Sequence, residues 1–170
     1  MDSKRRYFLT AGASIGLLGL SSVLPKFVQL AEAETMEKFE VTHTDDDWRK
    51  LLSQDAYRIL RHEGTESPYS SPLNSEHRAG IFACAGCAQH LYSSKTKFDS
   101  HTGWPSFWKP IENAVITKED RSLFIPRTEV RCHRCGGHLG HVFEDGPKPT
   151  GLRYCMNGAA MTFTDRKSVV

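Results

Sequence analysis

The chain has almost no net charge, no internal repeat and no compositional bias. Its 22 Lys and Arg stand against 20 Asp and Glu, so it lacks the basic stripe or patch that marks a nucleic-acid-binding surface. With 13 Gly, 8 Pro and 10% aromatics in 170 residues, it also lacks the bias of low-complexity disorder. Past Gly80 there is no helical pattern of ~10–15 residues able to join parallel strands, which excludes a doubly wound α/β fold. No stretch is long enough to span a bilayer: the uncharged run Ala11–Leu24 has 14 residues, too few for ~30 Å of hydrocarbon at ~1.5 Å per residue. Even the cysteines fall short of pairing, because there are five and a fold held by disulfides alone would leave one thiol over. What remains, 39% hydrophobic and 25% charged residues, is ordinary globular material of a length for one domain plus an appendage.

The appendage is at the front. Lys4-Arg5-Arg6 precedes the uncharged run, and the small-residue site Ala31-Glu32-Ala33 follows Pro25 and Lys26. Basic, apolar and A-x-A in that order read as a removable export signal over residues 1–33. The paired arginines followed by Phe8-Leu9 resemble a twin-arginine leader, which implies export of an already folded protein, to the periplasm, with no lasting membrane association after cleavage. An ordinary secretion signal or an uncleaved anchor is the alternative. The leader holds four basic residues against two acidic ones, so the whole formal charge of +2 belongs to it and residues 34–170 are neutral by count.

In the remaining chain, Thr35–Thr44 is polar and without a pattern. Asp45, Asp46 and Asp47 ahead of Trp48, Leu51 and Leu52 predict a short amphipathic helix. A second is predicted to start at Asp55 as its cap and to stop at Gly64. Thr65–Arg78, rich in Ser and holding Pro68 and Pro72, reads as a long loop. Beyond it, Ile81-Phe82-Ala83, Leu123-Phe124-Ile125, His141-Val142-Phe143 and Met161-Thr162-Phe163 read as strands separated by Gly, Pro and Asp. The fold class is therefore mainly β and antiparallel, with short helices at its start.

Four of the cysteines form two C-x2-C pairs, Cys84/Cys87 and Cys132/Cys135. Such pairs, on tight turns supplied by Gly86 and Gly136-Gly137, are the usual material of a structural zinc site with four tetrahedral thiolates. The long separation between the pairs means that the metal would staple two distant hairpins. Two disulfides are the alternative in an exported protein. A haem site is excluded because neither pair is followed by His, and a thioredoxin-like site because no βαβ unit surrounds either pair.

Cys155 stands apart, in Arg153-Tyr154-Cys155-Met156-Asn157. It is either a buried core residue or a nucleophile, which must be a thiolate. Arg153, two residues away on a strand, points to the same side and would favour that thiolate. His138 and His141 lie upstream as candidate proton donors or as purely structural partners.

Lys97-Phe98-Asp99-Ser100, Gly103-Trp104-Pro105-Ser106-Phe107, Gly136-Gly137-His138-Leu139-Gly140-His141-Val142-Phe143 and Arg153 to Asn157, in this order, resemble the B-type methionine sulfoxide reductases. The likeness runs from about Trp48 to Phe163. It implies two antiparallel sheets in a tent-like fold and one structural zinc ion on the four paired cysteines, away from the active site. It implies reduction of the R epimer of methionine sulfoxide, mainly in proteins, to methionine. Cys155 would be the nucleophile and would finish as a sulfenic acid, the reversible first rung of cysteine oxidation. His138 and His141 would hold and protonate the sulfoxide oxygen with help from Asn157, and Arg153 would lower the thiol pKa. Trp104 and Phe143 would line the substrate pocket, Trp104 as the wall for the methyl group.

Two departures from the family pattern stand out. Many members carry a second, resolving cysteine just before G-W-P-S-F, where this chain has Thr102, and Gly158 replaces a more usual Ser, a change expected to be mild. With four cysteines on a metal, no internal partner is left for Cys155. Its sulfenic acid would then be reduced directly by a thioredoxin-like protein or a small thiol. A monomer is the default expectation. Two other readings of the same residues are a non-catalytic, zinc-stapled binding module and a zinc hydrolase. The latter is weak, because four thiolates leave no ligand position for water.

Overall fold

Two short helices open the described chain because their caps are written into it. The structure, a computed structural model, describes residues 38–122 and 125–169, all within one compact unit, Glu37–Val170. The expected leader lies outside the described residues, as do Leu123 and Phe124. Lys38–Thr44 holds no regular element. Helix α1 is Asp45–Leu51, capped by Thr44, whose side chain accepts from the Asp47 N–H. Three aspartates in the first turn and Arg49 and Lys50 in the last complement the helix dipole. Its buried face is narrower than predicted: Trp48 is buried and Leu52 closes the end, while Leu51 is 60% exposed.

Helix α2 is Gln54–His62, and its cap is Ser53 rather than Asp55, with the Ser53 hydroxyl accepting from the Ala56 N–H. It ends on Glu63 in the left-handed region at φ 52°, one residue before the predicted Gly64, whose N–H still bonds to the Arg58 carbonyl. Ala56, Tyr57, Ile59 and Leu60 are buried. Gly137 lets α2 approach the sheet, since a Cβ there would lie 2.8 Å from Leu60 Cδ2.

The rest is antiparallel β. Strands are β1 Gly80–Cys84, β2 His90–Ser93, β3 Lys97–Phe98, β4 Ser106–Phe107, β5 Val115–Asp120, β6 Arg127–Cys132, β7 His138–Phe143, β8 Arg153–Met156 and β9 Met161–Asp165. They form a three-stranded sheet in the order β2-β1-β9 and a six-stranded sheet in the order β3-β4-β8-β7-β6-β5. Three of the four predicted strand cores fall in β1, β7 and β9. In the fourth, Ile125 sits in a bend between β5 and β6, 74% exposed. The sheets meet across aromatic rings: Phe107 of β4 stacks on Tyr92 of β2 at 4.3 Å and meets Phe82 of β1 edge-on at 5.0 Å. Such pairs contribute ~0.5–1.5 kcal/mol each beyond the area they bury. No helix among the described residues is long and apolar enough to cross a membrane.

Candidate active site and metal centre

Strand register decides which side chains can meet. Residues directly opposite in neighbouring strands share a face, and so do alternate residues along one strand. Cys155 lies opposite His141 of β7 and Ser106 of β4, and Arg153 lies opposite Phe143. His141 lies opposite Glu129 of β6, and Arg127 of β6 opposite Asp120 of β5. One face of the six-stranded sheet therefore carries Ser106, Arg153, Cys155, His141, Phe143, Glu129, Arg127 and Asp120. The other carries Phe107, Met156 and Val130, all fully buried.

His138 belongs to the first face only because β7 is irregular. Three positions from His141, it would point the opposite way in a regular strand. The ladder slips between Val130 and Arg131, so that Val130 pairs with Gly140 but Arg131 pairs with His138. The extra residue is a bulge. It brings the two imidazoles to 5.4 Å, ring centre to ring centre. Each is held by its own carboxylate: His138 Nδ1 by Glu129 at 2.7 Å and His141 Nε2 by Asp120 at 2.8 Å. His138 is 3% exposed and its Nε2 has no partner among the described residues. Burial pushes the His141 imidazole below its ordinary value, with the bond to Asp120 pulling the other way.

Gly140 sets the spacing at Cys155. A Cβ there would fall 2.2 Å from the Cys155 carbonyl oxygen and 3.0 Å from Met156 Cα, both backbone atoms of β8. Gly140→Ala is expected to cost about 1–3 kcal/mol, the scale of overpacking, and to depress turnover as β8 shifts. Chemical denaturation checks the first expectation and a turnover assay the second.

Cys155, Trp104, His141, Phe143 and Asn157 line one cleft of about 160 Å³, together with Thr65, Arg127 and Gly140. His138 lies behind it, in a charged pocket with His141, Asp120, Glu129 and Arg127. Asn157 is 4% exposed, and both ends of its amide are engaged: Oδ1 accepts from the Glu66 N–H and Nδ2 donates to the Leu139 carbonyl. It fixes the wall of the cleft. The Trp104 indole N–H donates to the Glu66 carbonyl. Glu66 thus holds both walls through its backbone, while its buried carboxylate accepts from the Gly158 and Ala159 N–H groups at 2.7 and 2.8 Å. Gly158 suits this packing, because a Cβ there would fall 2.0 Å from Ser71 Oγ.

Arg153 bonds Asp145 twice at 2.8 Å and lies 4.4 Å above the Phe143 ring. Burial pushes the Cys155 thiol up from its ordinary value, while Thr102, Arg153 and Ser106 pull it down. Burial outweighs the pull of Arg153, whose guanidinium shares its charge with Asp145.

The two C-x2-C turns meet between the sheets. Cys84 ends β1 of the small sheet and Cys132 ends β6 of the large one. The sulfurs of Cys84 and Cys135 are 3.7 Å apart, those of Cys87 and Cys132 3.5 Å, and all four lie within 4.8 Å of one another. All are unpaired thiols, so the two-disulfide alternative is not what the geometry holds. A tetrahedral thiolate cage with ~2.3 Å bonds has edges of ~3.8 Å, so the residues present fit a metal ion. Hydrogen bonding among the sulfurs drives their titration apart, Cys84 and Cys135 upward and Cys87 and Cys132 downward. A cation is what allows all four to be thiolates together. Arg134 and Arg61 secure the turns by donating to the Cys87 and Cys135 carbonyls.

Sequence reasoning named the residues around the cleft and the four metal-binding cysteines, but not Glu66, Asp120, Glu129 or the hydroxyls beside Cys155. Glu129 faces His141 and Asp120 faces Arg127 only once β5 to β7 are paired, and residue spacing does not announce that pairing. Glu66 carries no signal either, because it lies within the stretch that reads as loop.

The chain is similar to known proteins over most of its length. A model of the SelR domain matches residues 52–165. The peptide methionine sulfoxide reductase MsrB of Leptospira interrogans is 49% identical over 126 residues, covering 74% of this chain and 96% of that protein. Its namesakes in Methanosarcina barkeri and Agrobacterium fabrum are 50% and 48% identical, covering 75% and 73% of this chain and 91% and 93% of theirs. With the family model covering most of the chain and relatives matched over nearly their whole length, this protein belongs to the SelR-domain family, the peptide methionine sulfoxide reductases of the MsrB type.

Proposed function

We propose that this protein reduces the R epimer of methionine sulfoxide, chiefly in oxidised proteins, with Cys155 as nucleophile. The observation that carries the reading is the cross-strand pairing of Cys155 with His141 in a cleft walled by Trp104. The Cys155 thiolate attacks the sulfoxide sulfur. That attack forms an S–S bond while the oxygen, held near the imidazoles, takes up a proton. As the oxygen passes to Cys155, the S–S bond and the substrate S–O bond break and a Cys155 S–O bond forms, so the methionine sulfur gains two electrons, the cysteine loses two, and one proton is consumed overall. The products are methionine and a Cys155 sulfenic acid. A pocket that fixes the methyl group against Trp104 and the oxygen near the imidazoles admits one configuration of the chiral sulfur.

The other four cysteines form a cluster that does not include Cys155, so an external thiol, thioredoxin-like or small, completes the cycle. Zinc is the metal that best suits a closed four-thiolate site, where it acts as a structural staple. Residues 1–33 direct the folded chain through the twin-arginine route to the periplasm, where oxidants reach exposed methionines.

Separated R and S epimers of dabsyl-methionine sulfoxide, incubated with the protein and dithiothreitol, provide the test. The R epimer is expected to disappear while the S epimer persists. Equal consumption of both, or of neither by metal-loaded protein, rules the proposal out.

A further inference from the structure

Beside Cys155 runs a chain of three hydroxyls that the reaction as described does not use. Thr102 Oγ1 lies 3.9 Å from Cys155 Sγ, within reach for a hydrogen bond to sulfur. Thr102 Oγ1 is 2.8 Å from Ser100 Oγ, and Ser100 Oγ is 2.7 Å from Ser106 Oγ. Ser106, fully buried, donates to the Trp104 carbonyl at 3.1 Å.

Each hydroxyl owns one proton, so the direction of donation along the chain is collective. With Ser106 donating to Trp104, Ser100 donates to Ser106 and Thr102 to Ser100. Thr102 can then only accept, and the proton between it and sulfur must be that of the Cys155 thiol. When Cys155 is a thiolate, the order reverses: Thr102 donates to sulfur, Ser100 to Thr102 and Ser106 to Ser100. Three bond rotations do this, and no heavy atom moves.

We propose that Thr102, Ser100 and Ser106 form a reversible hydroxyl relay that stabilises the Cys155 thiolate. Thr102 is the direct donor, and Ser100 and Ser106 are positioning residues that set its direction. The relay supplies charge-assisted donation at a thiol whose burial opposes ionisation and whose neighbouring arginine is shared with Asp145. It also ties the nucleophile to Trp104, because releasing the Trp104 carbonyl accompanies ionisation.

The proposal rests on Cys155 being the nucleophile, but its test needs no turnover. The rate of iodoacetamide alkylation of Cys155, followed by mass spectrometry of its peptide, is measured against pH in the metal-loaded protein. Thr102→Val is expected to raise the midpoint by about one pH unit, the scale of a lost charge-assisted bond. Ser100→Ala, which removes a group two bonds' reach from the sulfur, is expected to raise it in the same direction by a smaller amount. Thr102→Ser, which keeps the hydroxyl, restores the original midpoint. Thermal melting confirms that each variant is folded. An unmoved midpoint in folded Ser100→Ala overturns the relay, as does a Thr102→Ser midpoint equal to that of Thr102→Val. Failure of the epimer assay with a shifted midpoint would instead count against the catalytic reading alone.

Discussion

Cys155→Ser is expected to lower sulfoxide turnover by at least about a thousandfold, the scale for losing a covalent nucleophile, and to leave the fold and the bound metal intact. Serine is close in size, and Cys155 is only partly buried, on a strand whose core-facing neighbour is Met156. Packing alone therefore predicts little change. The chemistry predicts a complete one, since a serine hydroxyl neither ionises near neutral pH nor accepts oxygen to form a sulfenic acid. Three measurements separate the two: turnover with dithiothreitol, metal content, and dimedone labelling after sulfoxide exposure without reductant. Wild-type protein should carry one dimedone adduct, on Cys155, and the variant none. A disulfide joining Cys155 to another cysteine of the chain would falsify direct reduction by an external thiol.

Cys84→Ser is expected to lose the metal and to weaken the whole fold. Cys84 contributes one corner of a sulfur cage drawn from both sheets, so its removal loosens the tie between them. Metal affinity in such sites is folding free energy, and total domain stability is only about 5–15 kcal/mol. Losing several kcal/mol from that total should lower the melting temperature by at least about 10 °C. Calorimetry and metal analysis of the purified variant check both halves. Wild-type protein treated with a strong chelator should melt like the variant, because the same staple is gone. A variant that keeps the metal and melts like the wild type would show that three sulfurs suffice.

Local chemistry was legible in the sequence, and pairing was not. The two C-x2-C turns, the two short helices and the strand cores around Phe82, Val142 and Thr162 depend on neighbours a few positions away. Residue type and spacing therefore carried their signal, though the cap of α2 was placed two residues late. The carboxylates behind the histidines depend on strand order. Asp120 meets His141 across 21 positions of chain and Asn157 meets Glu66 across 91. No periodicity announces such contacts. Glu66 is the clearest case: its stretch is irregular backbone by every local criterion, yet its amide, carbonyl and carboxylate hold three parts of the site at once. Of the strand predicted at Leu123-Phe124-Ile125, only Ile125 lies among the described residues, and it is a bend. The three residues suit a strand, but Ile125 lies in the connection that lets β5 turn back on β6.

The bulge in β7 has a consequence for how this site can change. Whether His138 and His141 stand together is a matter of parity, odd or even, and not of any contact that either ring makes. Deleting Leu139 would leave the histidines two positions apart, where regular alternation keeps them on one face; regularising β7 at its present length is what would turn one of them away from Cys155. The pair can stand together at a spacing of two without the bulge or of three with it, so loss of the bulge, and not loss of a residue, is what would separate them.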